Sequence, residues 1–139
     1  MNLKKIKEGI KKIVARRKRV VVIVQCRLSS TRLPGKALLP LGGKTILEWT
    51  LASMKKVEAS KYFLAVDEQS REELEPIAKE CGWDFYAGSQ SDVLDRFCNV
   101  VKISKADVVL RATADNPFLF YEAAQKLVDE YFFREKNSK

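Results

Sequence analysis

VVVIVQCRLSSTRLPGK, residues Val20 to Lys36, joins a β-branched apolar run to a loop crowded with cations and hydroxyls. The run from Val20 to Val24, closed by Gln25, has no polar alternation, so it reads as a strand buried on both faces, the kind that fills a parallel sheet. The loop after it carries Arg27, Arg32 and Lys36 among Ser29, Ser30 and Thr31, with Pro34-Gly35 at its end. Open α/β sheets bind ligands in loops at the carboxyl ends of their strands. A triphosphate requires several cations and hydroxyl or amide donors, and Gly35 lets the main chain come close. The glycine spacing is neither that of the phosphate loop nor that of the dinucleotide fingerprint. A solvated basic loop would have the same composition, so both readings stand at this level.

Downstream, strands and helices alternate. Leu38–Gly43 reads as a second loop, and Thr45 caps a helix from Ile46 to Val57 with Leu47, Leu51 and Met54 inward. Tyr62–Val66 is the next strand, followed by a polar turn at 67–70. Ser70 and Glu73 form a capping box for a helix ending at Glu80. Trp83–Tyr86 is a short strand, Ser91 or Asp92 opens a helix to Ile103, and Asp107–Arg111 is a further strand. A final helix, Phe120–Phe133, presents Ala124, Leu127, Val128 and Phe132 to the core. This order predicts a three-layer α/β/α fold with a mostly parallel sheet and right-handed crossovers. The polar clusters at 25–36, 67–70, 88–96 and 112–117 each follow a strand and so should meet on one edge.

Three of those clusters carry candidate chemistry. Asp115, a few residues past the last strand in ATADNP, can hold Mg²⁺, which binds through one or two carboxylates together with substrate phosphates. It can equally shape an Asx turn before Pro117. Gly88, Ser89, Asp92 and Arg96 sit where a helix begins, a place that suits a phosphate or base edge as well as an ordinary cap. Arg111 reads either as a further phosphate contact or as the buried partner of a carboxylate.

Composition narrows the chemistry. The 139-residue chain has no histidine, which removes His-based acid–base catalysis and the common zinc sites. Cys26, Cys81 and Cys98 lack a disulfide spacing, and no signal-peptide pattern follows the basic start, which fits a reducing cytoplasm. The formal charge of +8 lies entirely in residues 1–19, which hold nine Lys or Arg and one Glu, while the remainder has 17 of each sign. Leu3, Ile6, Ile10 and Ile13 recur at helical spacing there, so residues 1–19 form a basic amphipathic helix and residues 20–139 a separate unit. Neither stacking aromatics nor zinc-finger spacing accompanies these charges, which argues against nucleic acid, and nothing is long enough to span a membrane.

Four ordered blocks, QCRLSSTRLPGK, LLPLGGKTILEW, GSQSDVLDR and RATADNP, resemble the spore coat polysaccharide biosynthesis protein F-like group of the cytidylyltransferase family, which also includes the CMP-KDO and CMP-sialic acid synthetases. The resemblance covers residues 20 to about 120 and corresponds to the N-terminal half of the family's longer chain. It implies a Rossmann-like nucleotide-diphospho-sugar transferase fold, truncated, and transfer of CMP from CTP to a sugar acid with Mg²⁺. By motif, Arg27, Lys36 and Asp115 are the catalytic candidates and Asp115 the metal ligand. Gln25, Arg27, Ser30, Arg32, Gly35, Lys36, Gly88, Ser89, Asp92, Arg96 and Arg111 would contact the nucleotide. In the family the second half supplies the sugar pocket and much of the dimer contact. The expectation is therefore a homo-oligomer or pairing with another chain, and the alternative is a non-catalytic nucleotide-binding or protein-interaction module.

Overall fold

The computed structural model describes residues 2–7, 17–29, 33–116 and 120–138. Its centre is β1 (Val20–Cys26), where Val21 to Val24 have no solvent exposure. The chain continues through a small hairpin, β2 (Pro40–Leu41) and β3 (Lys44–Thr45), into α1 (Ile46–Met54). Then follow β4 (Lys61–Asp67), α2 (Arg71–Glu80), β5 (Asp84–Gly88), α3 (Val93–Ser104), β6 (Val108–Thr113) and α4 (Tyr121–Asn137). The main sheet is four-stranded in the order β5-β4-β1-β6, and every pairing is parallel.

Side chains alternate across a strand, so β1 feeds two cores. Val20, Val22, Val24 and Cys26 pack with Leu47, Leu51 and Met54 of α1, Leu74 and Ala78 of α2 and Val128 of α4. Val21 and Ile23 pack on the other face with Phe63, Ala65 and Val100 of α3. This is the expected three-layer α/β/α arrangement. Each fully buried Val or Ile is worth about 1.5–3 kcal/mol, so β1 alone contributes a large share of the hydrophobic stabilisation.

Several local expectations are corrected. The Ser70–Glu73 capping box does not form: Glu68–Ser70 is a 3-10 turn, and the Ser70 hydroxyl donates to Asp67 Oδ1 at 2.6 Å instead of capping the helix. The capping box that does form joins Thr45 and Glu48, with the Thr45 N–H donating to Glu48 Oε2 at 2.7 Å. Leu38–Gly43 is partly a hairpin rather than only a loop, because Gly42 and Gly43 at positive φ allow a two-residue reversal. The third long strand starts at Asp84, since Trp83 is buried against Tyr62 with ring centroids 5.4 Å apart. Leu127 is 67% exposed, so α4 turns Val128, with Ala124 and Phe132, toward the core and not Leu127.

Residues 3–7 are helical, and Leu3 and Ile6 face solvent. Residues 8–16 of the predicted basic helix, with Ile10 and Ile13, lie outside the described residues, and residues 17–19, expected in the same helix, are not helical. Lys18 pairs with Glu135, and the Arg19 N–H donates to Asp107 Oδ2 at 2.7 Å, so Lys18 and Arg19 are tied to the body.

Candidate nucleotide-binding cleft

The strand order explains where the site forms. The chain runs from β1 outward to β4 and β5, then returns across to lay β6 on the other side of β1. The strand order reverses between β1 and β6, and a crevice opens outside the carboxyl ends of parallel strands at such a point. A cleft of about 410 Å³ lies there, lined from β1 and its loop by Gln25, Cys26, Arg27, Leu33, Lys36 and Ala37, and from β6 and its loop by Thr113, Ala114 and Asp115. Its floor is closed by the Ala114 N–H, which donates to the Gln25 carbonyl at 3.0 Å.

Of the residues expected at the site, Gln25, Arg27, Lys36 and Asp115 converge on this cleft. Arg27, Lys36 and Asp115 are exposed to it, which leaves their charges available to a ligand. Gly35 sits at the end of the loop with φ 68°, a left-handed conformation, and its N–H donates to the Leu28 carbonyl at 3.0 Å. The loop thereby closes on itself, so Arg27 and Lys36 stand one residue outside its neck on either side. Ser30 and Arg32 lie outside the described residues.

Arg111 is exposed, so it is not the buried partner of a carboxylate. Its Nη2 donates to Gln25 Oε1 at 3.2 Å and its guanidinium lies 5.4 Å from the Phe97 ring centroid. It therefore orients Gln25 at the mouth of the cleft.

The Gly88–Arg96 group does not line the cleft, because β5 is two strands from β1 and neighbouring strands stand roughly 4.8 Å apart. Ser89 and Asp92 act as caps: Ser89 Oγ accepts from the Asp92 N–H at 3.1 Å, and Asp92 Oδ1 from the Asp95 N–H at 2.9 Å. Arg96 is fully buried and its Nη1 donates to the Ser89 carbonyl, while Nε and Nη2 have no partner among the described residues. Gly88 is required by space, since a Cβ there would stand 2.8 Å from Tyr86 Cε1 and 3.3 Å from Arg96 Cγ.

Three features escaped the sequence reading. Cys26 lines the cleft, and burial pushes its thiol up to about 12, with the charges of Asp67 and Asp115 adding to the shift. The thiol stays neutral at physiological pH and is neither nucleophile nor ready metal ligand. Asp67 and Ser70, read as a plain polar turn, are buried under the loop that follows β1. The extent of β6 was missed: it runs two residues past Arg111, so Thr113, in the cluster expected on this edge, ends the strand at the cleft. Among the described residues no three carboxylate, thiol or imidazole groups form a metal cage, and no helix is long and apolar enough to cross a membrane.

A parallel sheet covered on both faces, with a charged cleft at its switch point, defines a Rossmann-like nucleotidyltransferase fold. The chain superposes on a cytidylyltransferase from Leptospira borgpetersenii with a TM-score of 0.80 at 30% identity, covering 84% of this chain and 50% of that one. It belongs to the cytidylyltransferase family, whose model matches residues 21–138. It is similar to the spore coat polysaccharide biosynthesis protein SpsF of Bacillus subtilis, 33% identical over 119 residues, which cover 81% of this chain and 50% of that protein. A 3-deoxy-manno-octulosonate cytidylyltransferase of Chloroherpeton thalassium is 34% identical over 104 residues, covering 73% of this chain and 41% of that one. The chain thus spans about half the length of the curated relatives it matches.

Proposed function

We propose that this chain supplies the nucleotide-binding half of a cytidylyltransferase that transfers CMP from CTP to a sugar acid during surface polysaccharide biosynthesis in the cytoplasm. The observation that carries the reading is the meeting of Arg27, Lys36 and Asp115 in one cleft at the β1/β6 switch point. The two cations bind the triphosphate and stabilise charge that builds on the leaving pyrophosphate as a sugar hydroxyl attacks the α-phosphorus. This task needs no histidine. Gln25, its Oε1 held by Arg111, offers its side-chain amide nitrogen at the mouth where the base enters.

Mg²⁺ fits as an ion held by one protein carboxylate and completed by phosphate oxygens and water, with Asp115 as that carboxylate. When bound, it supplies further charge neutralisation at the triphosphate. The sugar acid is supported by the curated relatives whose names carry that substrate.

The alternative is a module of the same fold that binds CTP without turnover. Self-association or pairing with another chain is part of either reading. β6 has a partner on one side only among the described residues, and beside it lies an apolar groove of about 510 Å³ that includes Leu110, Phe120, Ala124 and Leu127.

Calorimetric titration with Mg-CTP, with ATP, GTP and UTP as controls and Asp115→Ala alongside, tests the proposal. Selective CTP binding that weakens in Asp115→Ala is the expected result, and pyrophosphate release separates the two readings. Binding to none of the four nucleotides overturns both.

A further inference from the structure

The loop that carries the cleft's cations is tied down from beneath by a buried relay. Leu28 stands at the neck of that loop, and both of its main-chain groups are used. Its carbonyl accepts from the Gly35 N–H at 3.0 Å, and its N–H donates to Ser70 Oγ at 3.1 Å. The Ser70 hydroxyl in turn donates to Asp67 Oδ1 at 2.6 Å, in the short range of a bond to a charged oxygen. Asp67 is fully buried and Ser70 is 2% exposed. The sheet itself sets this geometry, since Cys26 of β1 is in register with Val66 of β4 and Asp67 follows directly.

The chemistry of the chain has one polarity. The Ser70 hydroxyl gives its proton to Asp67, and its oxygen is left to accept from the Leu28 N–H, which can only donate. Neither residue lines the cleft. A buried carboxylate with its second oxygen, Oδ2, unpartnered among the described residues is expensive to keep as mere packing. Its effect lies one residue further on: Arg27 precedes Leu28 and Lys36 follows Gly35, so the fixed neck determines how far apart and in which direction the two cations are held.

We infer that Asp67 and Ser70 are positioning residues that hold the neck of the cationic loop through Leu28, and that the anion affinity of the cleft depends on them. The inference rests on the reading of the cleft as a nucleotide site. Ser70→Ala, Asp67→Asn and the hydroxyl-preserving Ser70→Thr are compared with Val100→Ala, a core variant on the opposite face of the sheet. Two quantities are measured: Leu28 amide hydrogen exchange in the free chain, and affinity for Mg-CTP. Ser70→Ala should speed Leu28 exchange and weaken Mg-CTP binding by about ten-fold, as one lost hydrogen bond would give, and Asp67→Asn, whose Oδ1 still accepts from Ser70 but without the charge, should move both in the same direction by less. Ser70→Thr should retain both properties, and Val100→Ala should lose stability without moving either.

Wild-type binding of Mg-CTP with equal affinity in Ser70→Ala and Asp67→Asn overturns the inference and leaves the nucleotide reading standing. If wild type binds no nucleotide, the nucleotide reading fails, and the inference that the relay tunes anion affinity falls with it. Unchanged Leu28 exchange in both variants overturns the relay whatever the nucleotide does. Should Ser70→Ala not fold, Asp67→Asn, which keeps the side-chain volume and weakens the bond to Ser70 without removing its acceptor, carries the test in the same direction with a smaller change.

Discussion

Replacing Arg96 by methionine separates the placement of the 89–92 loop from the stability of the fold. The guanidinium has no solvent exposure, its Nη1 donates to the Ser89 carbonyl, and a second contact to the Gln90 carbonyl is at 3.4 Å, too long to add much. Losing the charge-assisted bond costs about 1.5–3 kcal/mol, whereas removing two buried N–H groups unpartnered among the described residues recovers about 1–3 kcal/mol each. The net runs from about 1 kcal/mol destabilising to about 4.5 kcal/mol stabilising. Methionine keeps the stem that fills the space beside Gly88, where Arg96 Cγ lies, so little cavity opens. The half-exposed Ser89 carbonyl can turn to water once released. Urea unfolding should give an unchanged slope and a stability between about 1 kcal/mol below wild type and well above it. Loss of more than about 2 kcal/mol would refute the reasoning, because it would mean that Nε and Nη2 are paired in the folded protein.

The hydrogen bonds from the Thr45 N–H and hydroxyl hold the Glu48 carboxyl below its ordinary value of 4.5. A depressed folded pKa stabilises above the ordinary carboxylate range and ceases to do so as pH falls through the depressed value. Glu48→Ala should therefore cost about 0.3–1 kcal/mol at neutral pH, and the gap to wild type should close in acid, read from denaturation midpoints across pH. At the sheet edge, light scattering at high concentration should find an oligomer, and Val109→Lys on β6 should shift it toward monomer. A clean wild-type monomer counts against self-association.

The parallel α/β class was legible because its signals are local. An aliphatic run such as Val20 to Val24 can satisfy burial only between two layers, and the Thr45 and Asp92 caps mark helix starts without reference to the rest of the chain. Boundaries drifted where distant contacts decide them. Trp83 left the strand to pack on Tyr62, and Ser70 gave up its capping role to a carboxylate three residues earlier and an amide forty-two residues away. A cap accepts from a main-chain N–H, and the Ser70 oxygen accepts from Leu28 instead; sequence spacing does not say which N–H reaches it.

Strand order governed the site in the same way. From the sequence, four polar clusters after four strands were expected to gather on one edge, which follows from parallel pairing alone. That Arg27, Lys36 and Asp115 face one cleft while Gly88 to Arg96 stand apart follows from β6 pairing with β1 on the side away from β4 and β5. Residue types and their periodicity are properties of neighbours along the chain, so they determine the elements and the chemistry each loop carries. Which loops become neighbours in space depends on how the crossovers pack their helices against the sheet, and that selection was made by the burial of both faces of β1.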